Sequence, residues 1–240
     1  MKLIAIDSSG LTAGVAVIDG DVLQASYTVD YKKTHSQTLL PMLDEISRMI
    51  NLDKSTVDAV AVAAGPGSFT GLRIGSATAK GLALALDVPV IEVPTLAAMA
   101  FGLYNAGGLV CPIMDARRNQ VYNGIYCWRN HELVTIKDQR AVKVEELADE
   151  LNRMNDPAGT IFLGDGTAVY REMLDRCLTV PHVYAPANVN RQRAAGVGAL
   201  AQVLYREGKY VNARDHVPVY IRKSQAERER EAKENHADNT

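Results

Sequence analysis

The sequence predicts an α/β protein with two similar lobes, each built from a mixed β-sheet flanked by helices. Short runs rich in β-branched residues alternate with longer helical patterns along most of the chain. The order strand-strand-strand-helix-strand-helix occurs twice, and in each half an aspartate, Asp7 or Asp115, ends the first strand. A chain of 240 residues is longer than an average domain, so two coupled lobes of about 110 residues are an expected size.

The first half contains three predicted strands, followed by alternating helices and strands. The Asp19-Gly20 pair favours a hairpin between the second and third strands. A fully apolar run then leads into a glycine-rich loop, which indicates a buried strand turning into a helix. The predicted strands are 2–7, 13–19, 22–29, 58–64 and 89–93, and the predicted helices are 36–50, 71–86 and 95–104.

The second half repeats this plan after a linker at 105–108. Its predicted strands are 109–115, 121–128, 132–137 and 160–164, and its predicted helices are 144–153, 168–177 and 192–206. We therefore expect an N-terminal lobe over residues 1–107 and a C-terminal lobe over 108–223. Residues 224–240 are strongly charged and contain no aliphatic side chain larger than alanine, so we expect a disordered tail there.

The composition argues against proteins that coat nucleic acids by bulk charge. The chain has 26 Lys and Arg against 28 Asp and Glu, a net charge of −2. With 3 Phe and 1 Trp, an aromatic platform for single strands is also disfavoured. Contact with nucleic acid through a larger assembly stays open.

The cysteines and the apolar runs favour the cytoplasm. Cys111, Cys127 and Cys177 are odd in number and widely spaced, which disfavours a disulfide framework and predicts buried thiols in a reducing compartment. The apolar run at the N-terminus stops at Asp7, too early for a signal peptide. No run approaches the ~20 apolar residues of a membrane span, so we expect no membrane contact.

The most distinctive local motif is the glycine-rich loop GPGSFTGLR, residues 65–73. Glycines let backbone N–H groups approach an anion, and a helix N-terminus adds a partial positive charge, so the loop could hold a phosphate. It is not a Walker loop, because no Lys-Ser or Lys-Thr follows the last glycine. The alternative is a tight strand-to-helix turn in which Ser68 or Thr70 caps the helix.

Two aspartates follow the first strands of the two halves, at the sheet edge where α/β proteins bind ligands. Asp7 could hold a metal-bound water or a hydroxyl, or it could close an Asx turn. After Asp115, Arg117 could bind a carboxylate or phosphate, or pair with Asp115 itself. The sequence alone leaves both alternatives open.

Other catalytic signals are weak. His35 has no second His or Cys within four residues, so we expect a helix-entry or packing role rather than a metal site. The motifs G-x-S-x-G and H-E-x-x-H do not occur, and no base is marked near Ser68.

The helices at 36–50 and 71–86 carry more apolar surface than packing on one sheet requires. The second has only Arg73 and Lys80 as charged residues, and small residues recur along it at a spacing of four. We expect this apolar surface to be buried, either by the second lobe or by another chain.

Four segments of the sequence together resemble the TsaB (YeaZ) family. These are IAIDSS at 4–9, HSQTLLP at 35–41, GPGSFTGLRIGSATAKGLA at 65–83 and DARRNQVY at 115–122. The resemblance is strong over residues 1–128 and looser beyond, through GDG at 164–166 and PVYIRK at 218–223. It implies the duplicated fold of actin, sugar kinases and heat-shock chaperone ATPases.

The resemblance also implies a non-catalytic partner of TsaD, the enzyme that transfers threonylcarbamoyl to N6 of adenosine 37 in tRNAs reading ANN codons. TsaD carries two metal-binding histidines where this chain has Thr95 and Met99. Neither suits a hard metal, so neither an intrinsic metal nor a metallopeptidase is expected. The implied partners are a TsaD-like subunit, a TsaE-like ATPase, a second copy when the chain is alone, and tRNA only through the complex.

The resemblance implies that the two helices form a bundle with the equivalent helices of TsaD. The expected interface residues are His35, Leu39, Leu40, Leu43, Ile46, Ile50, Leu72, Gly75, Ala79 and Leu82. No intrinsic cofactor is expected; ATP or ADP at the partner interface is the nucleotide that the resemblance allows. The candidate nucleotide- or phosphate-binding residues are Asp7, Ser8, Gly65, Gly67, Ser68, Gly71, Arg73, Asp115 and Arg117.

The alternative is an enzyme of the same fold, a phosphotransferase or ATPase that acts alone. It would use Asp7, the glycine loop and Arg117.

Overall fold

The computed structural model describes residues 1–31 and 35–222. The chain begins with a three-stranded antiparallel meander and continues with alternating helices and strands. The elements of the first half are β1 (Lys2–Asp7), β2 (Thr12–Asp19), β3 (Val22–Asp30), α1 (His35–Met49), β4 (Ala59–Gly65), α2 (Phe69–Leu86), β5 (Val90–Pro94) and α3 (Thr95–Phe101), with a 3-10 turn at Lys54–Thr56.

The second half repeats this order element by element. It contains β6 (Leu109–Asp115), β7 (Gln120–Arg129), β8 (Glu132–Lys143), α4 (Val144–Met154), β9 (Thr160–Leu163), α5 (Gly166–Cys177), β10 (His182–Tyr184) and α6 (Ala194–Arg206). The predicted elements are all present, with shifted ends. The sequence pattern missed β10, because a strand of three residues is too short to show alternation.

The two sheets have the same strand order. The first sheet is β3-β2-β1-β4-β5 and the second is β8-β7-β6-β9-β10. In both, the first strand pairs antiparallel with the second and parallel with the fourth. This repeated topology confirms the predicted duplicated α/β fold of two mixed sheets flanked by helices.

Helices cover both faces of the first sheet. α1 and α2 lie side by side on one face, where Leu39, Leu43 and Ala79 join the sheet residues in one buried cluster. α6 packs on the opposite face through Ala194 and Val197. Although α6 follows the second sheet in the chain, it therefore belongs to the core of the first.

The second sheet has its own core, and α3 connects the two halves. α4 and α5 pack on one face of the second sheet, with Leu147 and Leu174 in its core. On the other face, Leu96 and Met99 of α3 contact second-sheet residues such as Val110. The division at residue 107/108 stays a prediction, and the tail predicted at 224–240, like Lys223, lies outside the described residues.

Residues 211–222 form an irregular segment with a turn at 213–215, here called the C-terminal strap, that sequence patterns did not reveal. Val211 pairs with Val90 of β5, and the Val219 N–H donates to the Ala64 carbonyl at the end of β4, over 2.8 Å. Tyr220 stacks on Phe69 with ring centroids 4.0 Å apart. The strap therefore packs along the first sheet and over the start of α2.

The cysteines differ in exposure. Cys111 is buried, and burial raises the pKa of its thiol to about 12, whereas Cys127 and Cys177 are half-buried and all three are free thiols. The prediction of three buried thiols was therefore wrong for two of them. Over residues 1–31 and 35–222, no helix combines the length and the apolar character that crossing a bilayer requires.

Candidate functional site

An open cleft lies between the two lobes, where β1 and β6 end. The cavity has a volume of about 630 Å³, and Ser9, Gly67, Asp115 and Asp165 are among its lining residues. Since both first strands end here, the duplicated fold brings the two predicted aspartate turns to one site.

Asp7 closes a turn that lies buried behind the cleft, and it is not one of the residues that line the cavity. Its Oδ1 accepts hydrogen bonds from the Ser9 backbone N–H at 2.9 Å and from the Ser9 hydroxyl at 2.7 Å. The side chain is 2% exposed, and this burial raises the pKa of its carboxyl, while the Ser9 hydrogen bonds and nearby His35 act in the opposite direction. This geometry is that of the Asx turn, one of the two alternatives for Asp7.

The raised pKa gives a testable pH dependence for Asp7→Asn. Folding favours protonated Asp7, so wild-type stability contains a penalty that grows as pH rises through the raised pKa and is absent at low pH. The asparagine carries no charge and keeps the Oδ1 acceptor. We expect thermal unfolding to show a higher Tm for the variant at pH 8, and a gain that shrinks as pH falls to about 4.

Asp53→Asn is the control for this experiment. Asp53 is exposed, and hydrogen bonds from Ser55 lower the pKa of its carboxyl, so the sign of its pH effect is opposite. A lower Tm for Asp7→Asn than for wild type at pH 8 would contradict the assignment.

The glycine loop packs against the turn that follows β1. A Cβ atom added at Gly67 or Gly71 would lie less than 3 Å from the backbone oxygen of Ser9 or Ser8. The Ser8 hydroxyl donates to the Gly71 carbonyl at 2.8 Å, and Ser68 caps α2 by accepting from the Gly71 N–H at 3.3 Å. These glycines therefore allow two backbone segments to touch, as the tight-turn alternative requires.

The C-terminal strap covers the start of the loop. Gly65 has a φ of +130°, and a Cβ there would approach the Val219 carbonyl oxygen to less than 3 Å. Arg73 lies outside the cleft, with its guanidinium 4.6 Å from the Phe69 ring centroid and its Nε donating to the Tyr220 hydroxyl at 3.3 Å. Its guanidinium therefore joins α2 to the strap rather than facing the cleft.

In the second lobe, the candidate charges pair with each other. The Arg117 guanidinium lies 3.3 Å from the Asp115 carboxylate, and the Tyr170 hydroxyl donates to Asp115 Oδ1 at 2.9 Å. Burial, followed by that hydrogen bond, raises the pKa of Tyr170 to about 12. Burial also raises the pKa of Asp165, whose Oδ1 accepts from the Asp115 N–H at 3.3 Å.

Sequence reasoning missed Tyr170 and Asp165. The signal that could have found Asp165 is its place in the GDG motif, which starts α5 just as the glycine loop starts α2. His35 begins α1, and its Nε2 donates to the Gly10 carbonyl at 2.8 Å, so it joins the helix to the β1–β2 turn. It lines the cleft rather than the outer helix face.

The predicted interface residues fall into two groups. Leu40 is 53% exposed, and Ile50 and Leu82 are half-buried at the edge of the core. Apart from His35, the remaining predicted interface residues are buried within this chain. They are Leu39, Leu43, Ile46, Leu72, Gly75 and Ala79. They are buried because α1 and α2 direct them at the chain's own sheet, so a surface that docks has to be formed by other residues.

A charge at Leu43 or Ala79 tests folding rather than association. Both residues are at most 7% exposed, so Leu43→Glu or Ala79→Glu places an unpaired carboxylate in the core. We expect a loss of about 4 kcal/mol or more in the free energy of unfolding of the isolated chain, measured by urea denaturation. A stable variant with an unchanged midpoint would contradict the burial of this helix pair.

The exposed face of α2 is nearly free of charge. Ala77, Gly81, Leu84 and Ala85 are exposed, and Leu84 keeps half of its surface in water. Residues four apart lie on one side of a helix, so 77, 81 and 85 form one smooth stripe. Leu40 and Met49 on α1 are also exposed, at 53% and 72%. We call this set of residues the α1–α2 outer face.

The two positions at which the family resemblance places the metal histidines of TsaD lie in the core. Thr95, the first residue of α3, is fully buried, and Met99 is 5% exposed. In the parts of the chain that the structure describes, no three His, Cys, Asp or Glu side chains are grouped as metal ligands.

Comparison with known proteins gives consistent relatives over almost the whole chain. The family model TsaD, described as tRNA N6-adenosine threonylcarbamoyltransferase, matches residues 28–230. The tRNA threonylcarbamoyladenosine biosynthesis protein TsaB of Bacillus subtilis (strain 168) is 31% identical over 95% of this chain and 96% of its own. The TsaB of Escherichia coli (strain K12) is 30% identical, over 94% and 96%.

Solved structures agree with these relatives. YeaZ from Pseudomonas aeruginosa superposes with a TM-score of 0.77 at 28% identity, covering 91% of this chain and 99% of that one. A second Pseudomonas aeruginosa structure, described as similar to peptidase YeaZ, gives a TM-score of 0.79 at 30% identity over 92% and 99%. Since the relatives share sequence, length and fold with it, this chain belongs to the TsaB (YeaZ) family of tRNA threonylcarbamoyladenosine biosynthesis proteins.

Proposed function

We propose that this chain is a non-catalytic dimerisation and activating subunit in tRNA threonylcarbamoyladenosine synthesis. In this proposal a TsaD-like subunit transfers threonylcarbamoyl to N6 of adenosine 37 in tRNAs reading ANN codons. This chain contributes the α1–α2 outer face, against which the equivalent helices of the partner pack, and it meets tRNA only within the complex. The observation that carries the proposal is the stripe of small, uncharged residues at 77, 81 and 85 on the exposed side of α2.

The outer face suits a protein partner because of its shape and chemistry. Alanine and glycine at 77, 81 and 85 let another helix approach closely, and Leu84 and Leu40 supply apolar area at the edges. An apolar helix face left in water is typical of an interaction site. When the partner is absent, the same face would join two copies of this chain in a symmetric dimer.

The cleft supports the non-catalytic part of the proposal. Asp7 is held by Ser9, Arg117 pairs with Asp115, and Ser68 caps α2, so these candidate groups already have partners within the chain. A group that works on a substrate would have to give up these contacts first. In this proposal these internal contacts hold the loops around the cleft in place.

Two further parts of the proposal come from the family resemblance. A TsaE-like ATPase would dock on the assembled heterodimer, and ATP or ADP would bind at the interface between subunits rather than in this chain alone.

Reconstitution tests the proposal. The chain is combined with the TsaD-like and TsaE-like proteins of the same organism and an ANN-reading tRNA, and the modified nucleoside is measured by mass spectrometry. We expect modification to require this chain and to survive in the double variant Asp7→Asn, Asp115→Asn. We also expect no magnesium-dependent ATP turnover by the chain alone.

The enzyme alternative makes the opposite prediction. It requires turnover by the isolated chain that disappears in Asp7→Asn. Loss of modification by a double variant that still assembles normally would also contradict the non-catalytic proposal.

A further inference from the structure

A second large cavity lies on the opposite side of the first sheet from α1 and α2. It is bounded by α3, α6 and the β2–β3 turn, and its volume is about 590 Å³. Sites for small molecules commonly have volumes of roughly 300–1,000 Å³ and mainly apolar walls. This cavity is separate from the α1–α2 outer face. It shares one lining residue with the cleft, Arg191.

The walls of this cavity are apolar and its shape is elongated. Small residues on α6, among them Ala195 and Ala199, form one side, and Phe101 and Ile18 lie on the others. The cavity follows α6 from Arg193 to Arg206, 13 residues apart in the chain, which corresponds to about 20 Å along a helix. An apolar chain fits such a groove better than a compact polar molecule does.

Positive charge collects at one end of the groove. Arg191 and Arg193 border the N-terminal end of α6, where the side chain of the N-cap residue Arg193 makes no capping hydrogen bond. Arg191 is partly compensated by Asp30 at 3.6 Å. Within the described residues, the buried Nε of Arg193 has no hydrogen-bond partner, and its Nη2 reaches the Ala187 carbonyl only at 3.5 Å. At the other end, Arg206 and Asp21 both line the groove.

We propose that this groove binds a single-chain amphipathic anion, with its carboxylate or phosphate head at Arg193 and its apolar chain along α6. The guanidinium and the uncapped helix N-terminus supply the donors that an anionic head needs. The alanine-lined wall supplies the contact for the chain.

The only tryptophan of the sequence gives a local reporter for this site. Trp128 lies 5.3 Å from Phe101 and 4.9 Å from Tyr104 between ring centroids, and both of these residues border the groove. Its emission is therefore expected to respond to a molecule in the groove.

The test is titration of the full chain with decanoate, decyl phosphate and decyltrimethylammonium below their micelle concentrations, followed by Trp128 emission and calorimetry. We expect saturable binding of at least one anion, which identifies the preferred head group, and no comparable binding of the cation. Arg193→Met should weaken anion binding about tenfold, as loss of a hydrogen bond to a charged group predicts.

Two further variants make the result specific. Arg153→Met, at an exposed arginine of α4, should leave the Kd unchanged, whereas Ala199→Leu should weaken binding by filling the groove. Ala199→Leu also decides the question if Arg193→Met does not fold. Equal affinity in wild type and Ala199→Leu, equal binding of the cation, or no binding of either anion would overturn the proposal.

Discussion

Leu84→Glu is expected to weaken association with the proposed TsaD-like partner strongly while leaving the fold intact. The side chain is 50% exposed on the outward side of α2, so the charge stays hydrated in the isolated chain. In the proposed bundle the same carboxylate would be buried without a partner. We expect a loss of at least 2 kcal/mol of binding free energy, about thirtyfold in Kd, by calorimetry with the purified partner.

The control is Val183→Glu on β10. Val183 is 58% exposed, close to the exposure of Leu84, and lies on the second sheet, away from α1 and α2. Both variants should unfold within about 0.5 kcal/mol of wild type, as surface substitutions usually do. If Leu84→Glu binds the partner as tightly as Val183→Glu does, the α1–α2 outer face is not the docking site.

Gly71→Ala is expected to cause a large loss of stability in the glycine loop region. The new Cβ would lie less than 3 Å from the Ser8 backbone oxygen, in a turn held by the Ser8–Gly71 hydrogen bond and by the Asp7–Ser9 contacts. Backbone atoms on both sides have to move. We expect a loss of about 3 kcal/mol, roughly 10 °C in Tm, measured by calorimetry of the isolated chain.

Gly81→Ala is the matched control in the same helix. A Cβ at Gly81 meets none of the described residues within 4 Å, so the alanine only improves helix propensity, by about 0.5–1 kcal/mol. A loss of stability in Gly71→Ala together with a gain in Gly81→Ala would show that Gly71 is required for contact with the Ser8 turn. If Gly71→Ala were as stable as wild type, the loop would have free space, and the phosphate-cradle alternative would regain support.

The secondary structure was largely predictable because it depends on local patterns. The short apolar, β-branched run of β2, the Asp19-Gly20 turn and the apolar run of β4 each predict their element without distant contacts. The repeated order of elements in the two halves was sufficient to predict two similar lobes. β10 escaped prediction because a strand of three residues shows no alternation, and the C-terminal strap because Val211 pairs with Val90, which is far away in the chain.

The candidate site was only partly predictable. Sequence motifs identified Asp7, Asp115 and the glycine loop as candidate site residues. For each of them, however, two interpretations were chemically reasonable. The structure favours internal contacts: Ser9 binds Asp7, and Arg117 pairs with Asp115. Hydrogen-bond partners depend on distances of a few tenths of an ångström between separate loops, which no residue pattern encodes.

The sequence by itself determined the duplicated α/β plan, the family and the presence of two unusually apolar helices. Only the tertiary structure decided which sides of those helices are free. Leu43 and Ala79 pack inward and Leu84 and Ala77 face water, because the side of a helix that is buried depends on the sheet beneath it. Helical periodicity shows which residues share a face of the helix. When nearly every residue is apolar, it does not show which face packs against the core.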